Sequence, residues 1–405
     1  MDQIITSLLE NDMYKFSMGQ CIHNRFPEDT VTWRFRFRNW KELGPVTGDM
    51  VAEIRRQVDA YCSLSFTEEE LGYLRSIPWM KSAYVDFLRL WHPRRSEIFI
   101  NEDGVDECGL RISAKGSWLN TSMYEVPLLA IVSEVYLRMR DPDGYMELKT
   151  KAMLEGTRIA ESAWHDRVGV FSEFGMRRRF SKELQDHMVA TLSLGKRSNG
   201  FVGTSNVALA KKYGVIPVGT MAHEFVMCAG QGQHHLNPAY SNRFMMEAWE
   251  AEYGIKNGIA LTDTLGTELF LRDFDERHAT LFSGVRHDSG DPYEWGTKIL
   301  KHYESLGIDP KTKTLLFSDS LDFTRARKLR SFFESRAKVA FGIGTFLANP
   351  SPVKLNIVMK VVECNGSPVA KLSDTPGKGM CEDEDYVNYL KRAIDWRLAH
   401  EGRKA

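Results

Sequence analysis

Four short polar clusters hold the residue types of an active site: GTMAHEF (219–225), VRHDSGDP (285–292), FSDSLD (317–322) and FGIGT (341–345). The first contains one imidazole, His223. A neutral imidazole acts as a base, or as a nucleophile that accepts a phosphoryl group. Position 227 is Met, so the His-Glu pair does not open an HExxH zinc helix. The second cluster sets Arg286, Asp288, Ser289 and Asp291 close together. One of the carboxylates, Asp288 or Asp291, suits ribose hydroxyls and the other a Mg²⁺ ion carrying pyrophosphate, with Asp291 the candidate metal ligand; the planar fork of Arg286 suits an anion. The same stretch also reads as an Asp-Ser-Gly turn ahead of a helix that begins near Pro292. Gly342, Gly344 and Thr345 form a loop whose backbone N–H groups can ring a phosphate. Ser318 and Ser320 add hydroxyl donors. FGMRRR (174–179) places three arginines beside Phe174, which suits an aromatic carboxylate, although a basic run is commonly a solvated helix face. His234 and His235 lie in a Gln/Gly-rich loop and read as solvent-exposed.

These clusters need a scaffold that brings them together. From Phe171 onward, short apolar runs alternate with amphipathic helical patterns, the sign of parallel β-α units. The runs are Phe171–Phe174, Phe201–Val202, Val215–Val218, Gly258–Leu261, Leu281–Val285, Thr314–Phe317 and Val339–Phe341. Ser181 and Asp322 stand at helix starts, and Gly307 ends the helix at ESLG. Seven units predict an α/β fold with an irregular or incomplete (β/α) barrel, whose strand-end loops build the site. A doubly wound open sheet is the competing layout. The first 130 or so residues differ: Thr30–Arg38 alternates as a strand, Val51–Tyr61 and Thr67–Leu74 read as helices, and Leu128–Arg140 is a helix leading into the barrel. Near the end, LNIVMKVVECNGSPVAKLSD has the form of a β-hairpin turning at Asn365-Gly366. The expected division is a discontinuous α+β domain, residues 1–135 plus 354–405, around a barrel domain, 136–353.

Composition limits the functions available. At 405 residues and 46.3 kDa the chain is long enough for one large domain and a smaller one. A net charge of −1 and a pI near 6.8 provide no global field for nucleic acid or anionic lipid, so phosphate binding must be local. No apolar stretch approaches the roughly 20 residues that span a bilayer, and MDQIITSLLEND lacks a basic signal-peptide start. Six scattered cysteines without a CxxC pair read as reduced thiols in a cytoplasm.

With these motifs in hand, NDMYKFSMGQ (11–20), EFGMRRRFS, FVGTSNVALA, GTMAHEF, RHDSGDP, FGIGT and VECNGSPVAKLSD, in that order, closely resemble the bacterial-type nicotinate phosphoribosyltransferase family. The resemblance covers nearly the whole chain. It implies the irregular barrel of type II phosphoribosyltransferases. It also implies a reaction joining nicotinate to 5-phosphoribosyl-1-pyrophosphate, giving nicotinate mononucleotide and pyrophosphate, in NAD salvage. ATP as co-substrate, Mg²⁺, and a homodimer with shared active sites are implied too. By motif, His223 resembles the histidine phosphorylated by ATP. Arg177 resembles the arginine beside the pyridine ring, with Phe174 stacking on that ring. Tyr14 resembles a second stacking aromatic donated by the partner subunit. Arg38 resembles a pyrophosphate ligand, with Arg36 the neighbouring alternative. Arg286, Asp288, Ser289 and Asp291 match the substrate and magnesium motif, and Gly342, Gly344 and Thr345 the 5′-phosphate loop. Ser205 separates acid from amide: relatives that use nicotinamide resemble this motif but carry an aspartate there, whereas a serine can donate to a carboxylate.

A barrel hydrolase using Asp288 and Asp291 as an acid/base pair is the rival reaction class. Carboxylates three residues apart in one turn are badly placed to flank a scissile bond. A non-enzymatic binding module leaves four polar strand-end clusters without a use.

Overall fold

The structure, a computed structural model, describes residues 1–401 except 167, 196–198, 235, 376–378 and 380. Its strands in chain order are β1 (Thr30–Phe37), β2 (Ile98–Ile100), β3 (Ile112–Ser117), β4 (Val170–Glu173), β5 (Phe201–Thr204), β6 (Ile216–Pro217), β7 (Ile259–Leu261), β8 (Gly284–His287), β9 (Thr314–Phe317), β10 (Lys338–Ile343), β11 (Ile357–Cys364) and β12 (Ser367–Pro368).

β4 to β10 form one parallel sheet in the order β6-β5-β4-β10-β9-β8-β7. Each strand lies beside its sequence neighbour, and β10 returns to pair with β4, Ala340 opposite Val170. This is the order of a barrel rather than of a doubly wound sheet, left open between β6 and β7. Pro217 lacks an N–H and sits in the edge strand β6, where proline is tolerated. Across the opening, the Thr220 hydroxyl donates to the Ile259 carbonyl at 2.9 Å. Each of the seven expected runs overlaps a strand, although Leu281 ends the helix Glu276–Leu281 and β8 begins only at Gly284. Their helices begin where short side chains cap them: Ser181 Oγ accepts from Leu184 N at 3.1 Å and Asp322 from Arg325 N at 2.7 Å.

The second sheet is antiparallel, ordered β12-β11-β1-β3-β2, and joins the two ends of the chain. β11 turns into β12 at Asn365 and Gly366, with φ of 51° and 77°, the left-handed pair that a two-residue hairpin demands. Alternation in β1 buries Val31, Trp33, Phe35 and Phe37 and turns Arg36 outward. The last helix, Glu384–His400, packs against the helix Thr267–Asp273. There Arg397 meets Asp273 at 2.7 Å and lies 3.6 Å from the Tyr240 ring. The helix Met13–Arg25 is buried on every side from Met13 to Ile22. It therefore carries no amphipathic stripe.

Gly203 shows how tightly β5 and β6 approach: a Cβ there would lie 1.9 Å from the Ile216 carbonyl oxygen. Gly203→Ala is expected to lower unfolding free energy by about 1–3 kcal/mol in a denaturant titration, because backbone must shift to admit the methyl.

Candidate active site

The carboxyl ends of the barrel strands face β1 and β11 across a cavity of about 720 Å³. Loops after β4, β5, β6, β8, β9 and β10 reach its wall, as a parallel barrel requires. The wall includes Tyr14, Arg38, Phe174, Arg177, Ser205, His223, Arg286, Asp288, Gly344 and Thr345. Segments more than 300 residues apart in sequence thus meet at one place.

His223 opens a short helix just past the β6–β7 gap. Its Nε2 bonds Asp263 Oδ1 at 2.9 Å and lies 3.6 Å from Asp288 Oδ2. A carboxylate accepts, so Nε2 carries the proton and Nδ1 keeps the lone pair. Burial and the nearby Lys371 ammonium push the imidazole down to about 4, against the opposing pull of Asp263, so the ring is neutral at pH 7. Asp263 is itself buried. That burial would raise it, yet His223, Lys371 and Ser289 hold it well below the usual carboxylate range. Lys371 Nζ is 3.1 Å from Asp263 Oδ2, and Ser289 Oγ donates to the same oxygen at 2.6 Å. Asp288 accepts from Ser318 Oγ at 3.0 Å and lines the cavity.

Six cations line the same wall: Arg38, Arg177, Arg178, Arg286, Lys360 and Lys371. Burial, then the Arg177 and Arg38 charges, push the Arg178 guanidinium down to about 10. Burial also brings the Lys360 ammonium down to about 8, with Arg177 and Lys371 adding to the effect and Glu125 opposing it. Crowded, partly desolvated cations of this kind favour a multiply charged anion.

Several sequence expectations change here. Tyr14 lines the cavity of its own chain. Gly342 is not in the wall. It seats the Phe174 ring, whose Cδ2 would lie 2.4 Å from a Cβ at that position. Ser289 is buried behind Asp263 and accepts from Asp374 N at 3.1 Å. Asp291 is exposed and caps the helix Pro292–Ser305, accepting from Tyr293 N and Glu294 N at 2.9 Å each. It does not face the cavity, and the helix-start reading of that turn is the one realised. Ser205 Oγ donates its one proton to Asp12 Oδ1 at 2.6 Å, so it does not stand free to donate to a substrate carboxylate. Of the two candidate arginines, Arg36 pairs with Glu382 at 2.6 Å on the surface and Arg38 lines the wall. His234 bonds the Asn365 carbonyl at 2.6 Å, away from the cavity; His235 lies outside the described residues.

Among the described residues, His223, Asp263 and Asp288 are the group whose potential metal-ligating atoms converge, all within 4.8 Å. Asp263 already serves His223, Ser289 and Lys371. Asp288 is the carboxylate of this group that lines the cavity, and one carboxylate plus substrate phosphates is an ordinary magnesium environment.

Sequence reading passed over Asp12, Asp263, Lys360 and Lys371. Asp263 ends β7 in the run LTDT, and the strand-end rule applied to the other loops points to it as well. Lys360 is a lone cation within the apolar strand β11, and Lys371 follows β12 near the end of the hairpin segment.

Two family descriptions match the chain. The nicotinate phosphoribosyltransferase (NAPRTase) family matches residues 170–397, and the NAPRTase N-terminal domain residues 9–133. The nicotinate phosphoribosyltransferase of Bordetella pertussis is 46% identical over 400 residues, covering 96% of this chain and 95% of that one. That of Xylella fastidiosa (strain Temecula1) is 41% identical, covering 97% and 98%. The crystal structure of nicotinate phosphoribosyltransferase from Vibrio cholerae superposes with a TM-score of 0.86 at 36% identity, covering 97% of this chain and 94% of that one. The Porphyromonas gingivalis structure gives 0.85 at 34%, covering 96% and 100%.

The buried imidazole has a consequence for stability. An unfolded histidine titrates near 6.5 and His223 near 4, so between those values the unfolded chain binds the extra proton and stability rises with pH. His223→Asn is expected to flatten the slope of unfolding free energy over that window; an unchanged slope would place the titration elsewhere.

Proposed function

The chain belongs to the nicotinate phosphoribosyltransferase family, and we propose that it joins nicotinate to 5-phosphoribosyl-1-pyrophosphate, giving nicotinate mononucleotide and pyrophosphate. The observation that carries this reading is a single cavity with aromatic walls at Tyr14 and Phe174, six cations, and a neutral imidazole backed by Asp263. A flat pyridine ring suits the aromatic walls, and a sugar with phosphoryl groups at both ends suits the cations. The pyridine nitrogen attacks the anomeric carbon while the bond to pyrophosphate breaks, and the departing oxygen carries away the electron pair. Positioning both partners and meeting the departing charge with Arg38, Lys360 and Lys371 supplies the catalysis. Gly344 and Thr345 are assigned to the 5′-phosphate, and Arg286 and Asp288 to the ribosyl-pyrophosphate. Mg²⁺, held by Asp288 together with substrate phosphates, would neutralise pyrophosphate charge.

ATP coupling is assigned to His223. Its Nδ1 lone pair attacks the γ-phosphorus of ATP, the bond to the bridging oxygen breaks, and ADP leaves with the electron pair. Neutrality of the ring and the Asp263 bond that fixes its tautomer support this role. The phosphorylated ring gains roughly −1.5 to −2 charges, and Lys371 stands next to it to balance them. We place the step in NAD salvage in the cytoplasm. No described helix is long and apolar enough to cross a membrane. A homodimer is compatible with this reading, although Tyr14 lines the cavity of its own chain. Specific activity is expected to hold on dilution to a single chain, monitored by light scattering.

Nicotinate and phosphoribosyl pyrophosphate are expected to give the mononucleotide, with kcat/KM for nicotinamide lower by about tenfold or more. Equal rates for acid and amide, or no mononucleotide at all, would refute the assignment. His223→Ala is expected to take no label from γ-³²P-ATP and to lose the ATP effect on turnover; persistent labelling would remove His223 from this role.

A further inference from the structure

The helix Met13–Arg25 supplies Tyr14 to the cavity wall and also contacts the segment that leads to His223. Tyr14 belongs to the cavity wall. The next residue, Lys15, is wholly buried. Its ammonium donates to Glu224 Oε2, lies 2.8 Å from Glu125 Oε2, and sits 4.6 Å from the centre of the Trp33 ring. Glu224 follows His223 directly, and its other oxygen accepts from Trp118 Nε1 at 3.1 Å and Ser122 Oγ at 2.6 Å. Glu125 lies 3.4 Å from Arg177, 3.9 Å from Lys360 and 3.5 Å from the Tyr14 hydroxyl. A row of alternating charge therefore runs from the residue beside His223 to the residues around the aromatic walls.

Three further contacts tie the same helix to the segment before His223. Ser17 Oγ donates to the Thr220 carbonyl at 2.6 Å, and Ala222 N donates to Met18 Sδ at 3.3 Å. Gly219 packs against the Tyr14 amide so closely that a Cβ would come within 2.5 Å of it. A shift of the 219–224 segment must therefore move the turn of helix that bears Tyr14.

We propose that Lys15 is a positioning residue that couples the phosphorylation of His223 to the grip on the aromatic substrate between Tyr14 and Phe174. The inference rests on His223 as phosphoryl acceptor. A phosphoryl group on the ring adds negative charge beside Asp263 and Asp288 and displaces the 219–224 segment that carries both the ring and Glu224. Lys15 is the partner that Glu224 shares with Glu125, so any change in one pairing alters the other. Glu125 in turn sets the pull on Arg177, Lys360 and Tyr14. Coupling of this kind is reciprocal. If phosphorylation tightens nicotinate, bound nicotinate must stabilise the phosphorylated ring.

The test compares the unmodified chain with Lys15→Met, Lys15→Arg and Ser17→Ala. Each is scored for label on His223 from γ-³²P-ATP, for turnover without ATP, and for the ratio of nicotinate KM without and with ATP. In Lys15→Met, labelling persists while the KM ratio falls about tenfold toward one. Lys15→Arg restores part of the ratio. Ser17→Ala keeps every charge and lowers the ratio by a smaller factor. An unchanged ratio in a folded, labelled Lys15→Met protein overturns the proposal. Should that variant not fold, an unchanged ratio in Ser17→Ala overturns it instead. An unmodified chain that takes no label overturns the phosphohistidine reading itself, which is a separate result.

Discussion

An ammonium group sealed from water holds the two parts of this protein together. Lys15 has no solvent to share its charge with, so it is tolerable only between Glu125 and Glu224. Removing one member of such a buried pair typically costs about 3–5 kcal/mol, because the remaining charge is stranded. Those two glutamates come from different neighbourhoods. Glu125 begins the long helix beside the antiparallel sheet, and Glu224 belongs to the short helix at the barrel mouth. Trp33 on β1 and Trp118 after β3 close the same spot from the sheet side. The geometry of the cavity depends on this convergence, since barrel and sheet form opposite walls of one space.

The cavity also explains why a nearly neutral chain can be built to hold a strongly charged ligand. A net charge of −1 hides a wall on which six cations face one another. Their mutual repulsion and partial burial lower the proton affinity of Arg178 and Lys360. Glu125, Asp12 and Asp288 offset part of that repulsion without quenching it. An arriving polyphosphate relieves the remainder, so an arrangement costly to the empty protein becomes favourable once the anion is in place.

Much of this was legible from residue order. The seven apolar runs after Phe171 became seven parallel strands because buried parallel strands need little more than a short β-prone run between helices. Strand-end polarity found His223, Arg286 and Asp288, whereas alternation in Thr30–Arg38 puts Arg36 and Arg38 on one face and could not choose between them. The helix Met13–Arg25 escaped notice because burial on all sides erases the periodicity that marks a helix. Lys15, Lys360 and Asp12 were missed for a related reason. A lone charge in an apolar run has no local signal for its partner, which here lies over 100 residues away. Asp291 misled because a helix cap and a metal ligand are the same residue type at the same turn, and only the direction of the side chain separates them.

The unzipped edge between β6 and β7 has a mechanical meaning. Everywhere else around the barrel, adjacent strands are locked by backbone ladders that cannot slide without breaking several bonds at once. At this junction, among the described residues, the Thr220 hydroxyl donates across the interval to the Ile259 carbonyl in place of a backbone ladder. Exchanging its acceptor costs about 1 kcal/mol, far less than parting a ladder. The loop bearing His223 departs from that junction, so it can shift by fractions of an ångström while the remaining staves keep their register.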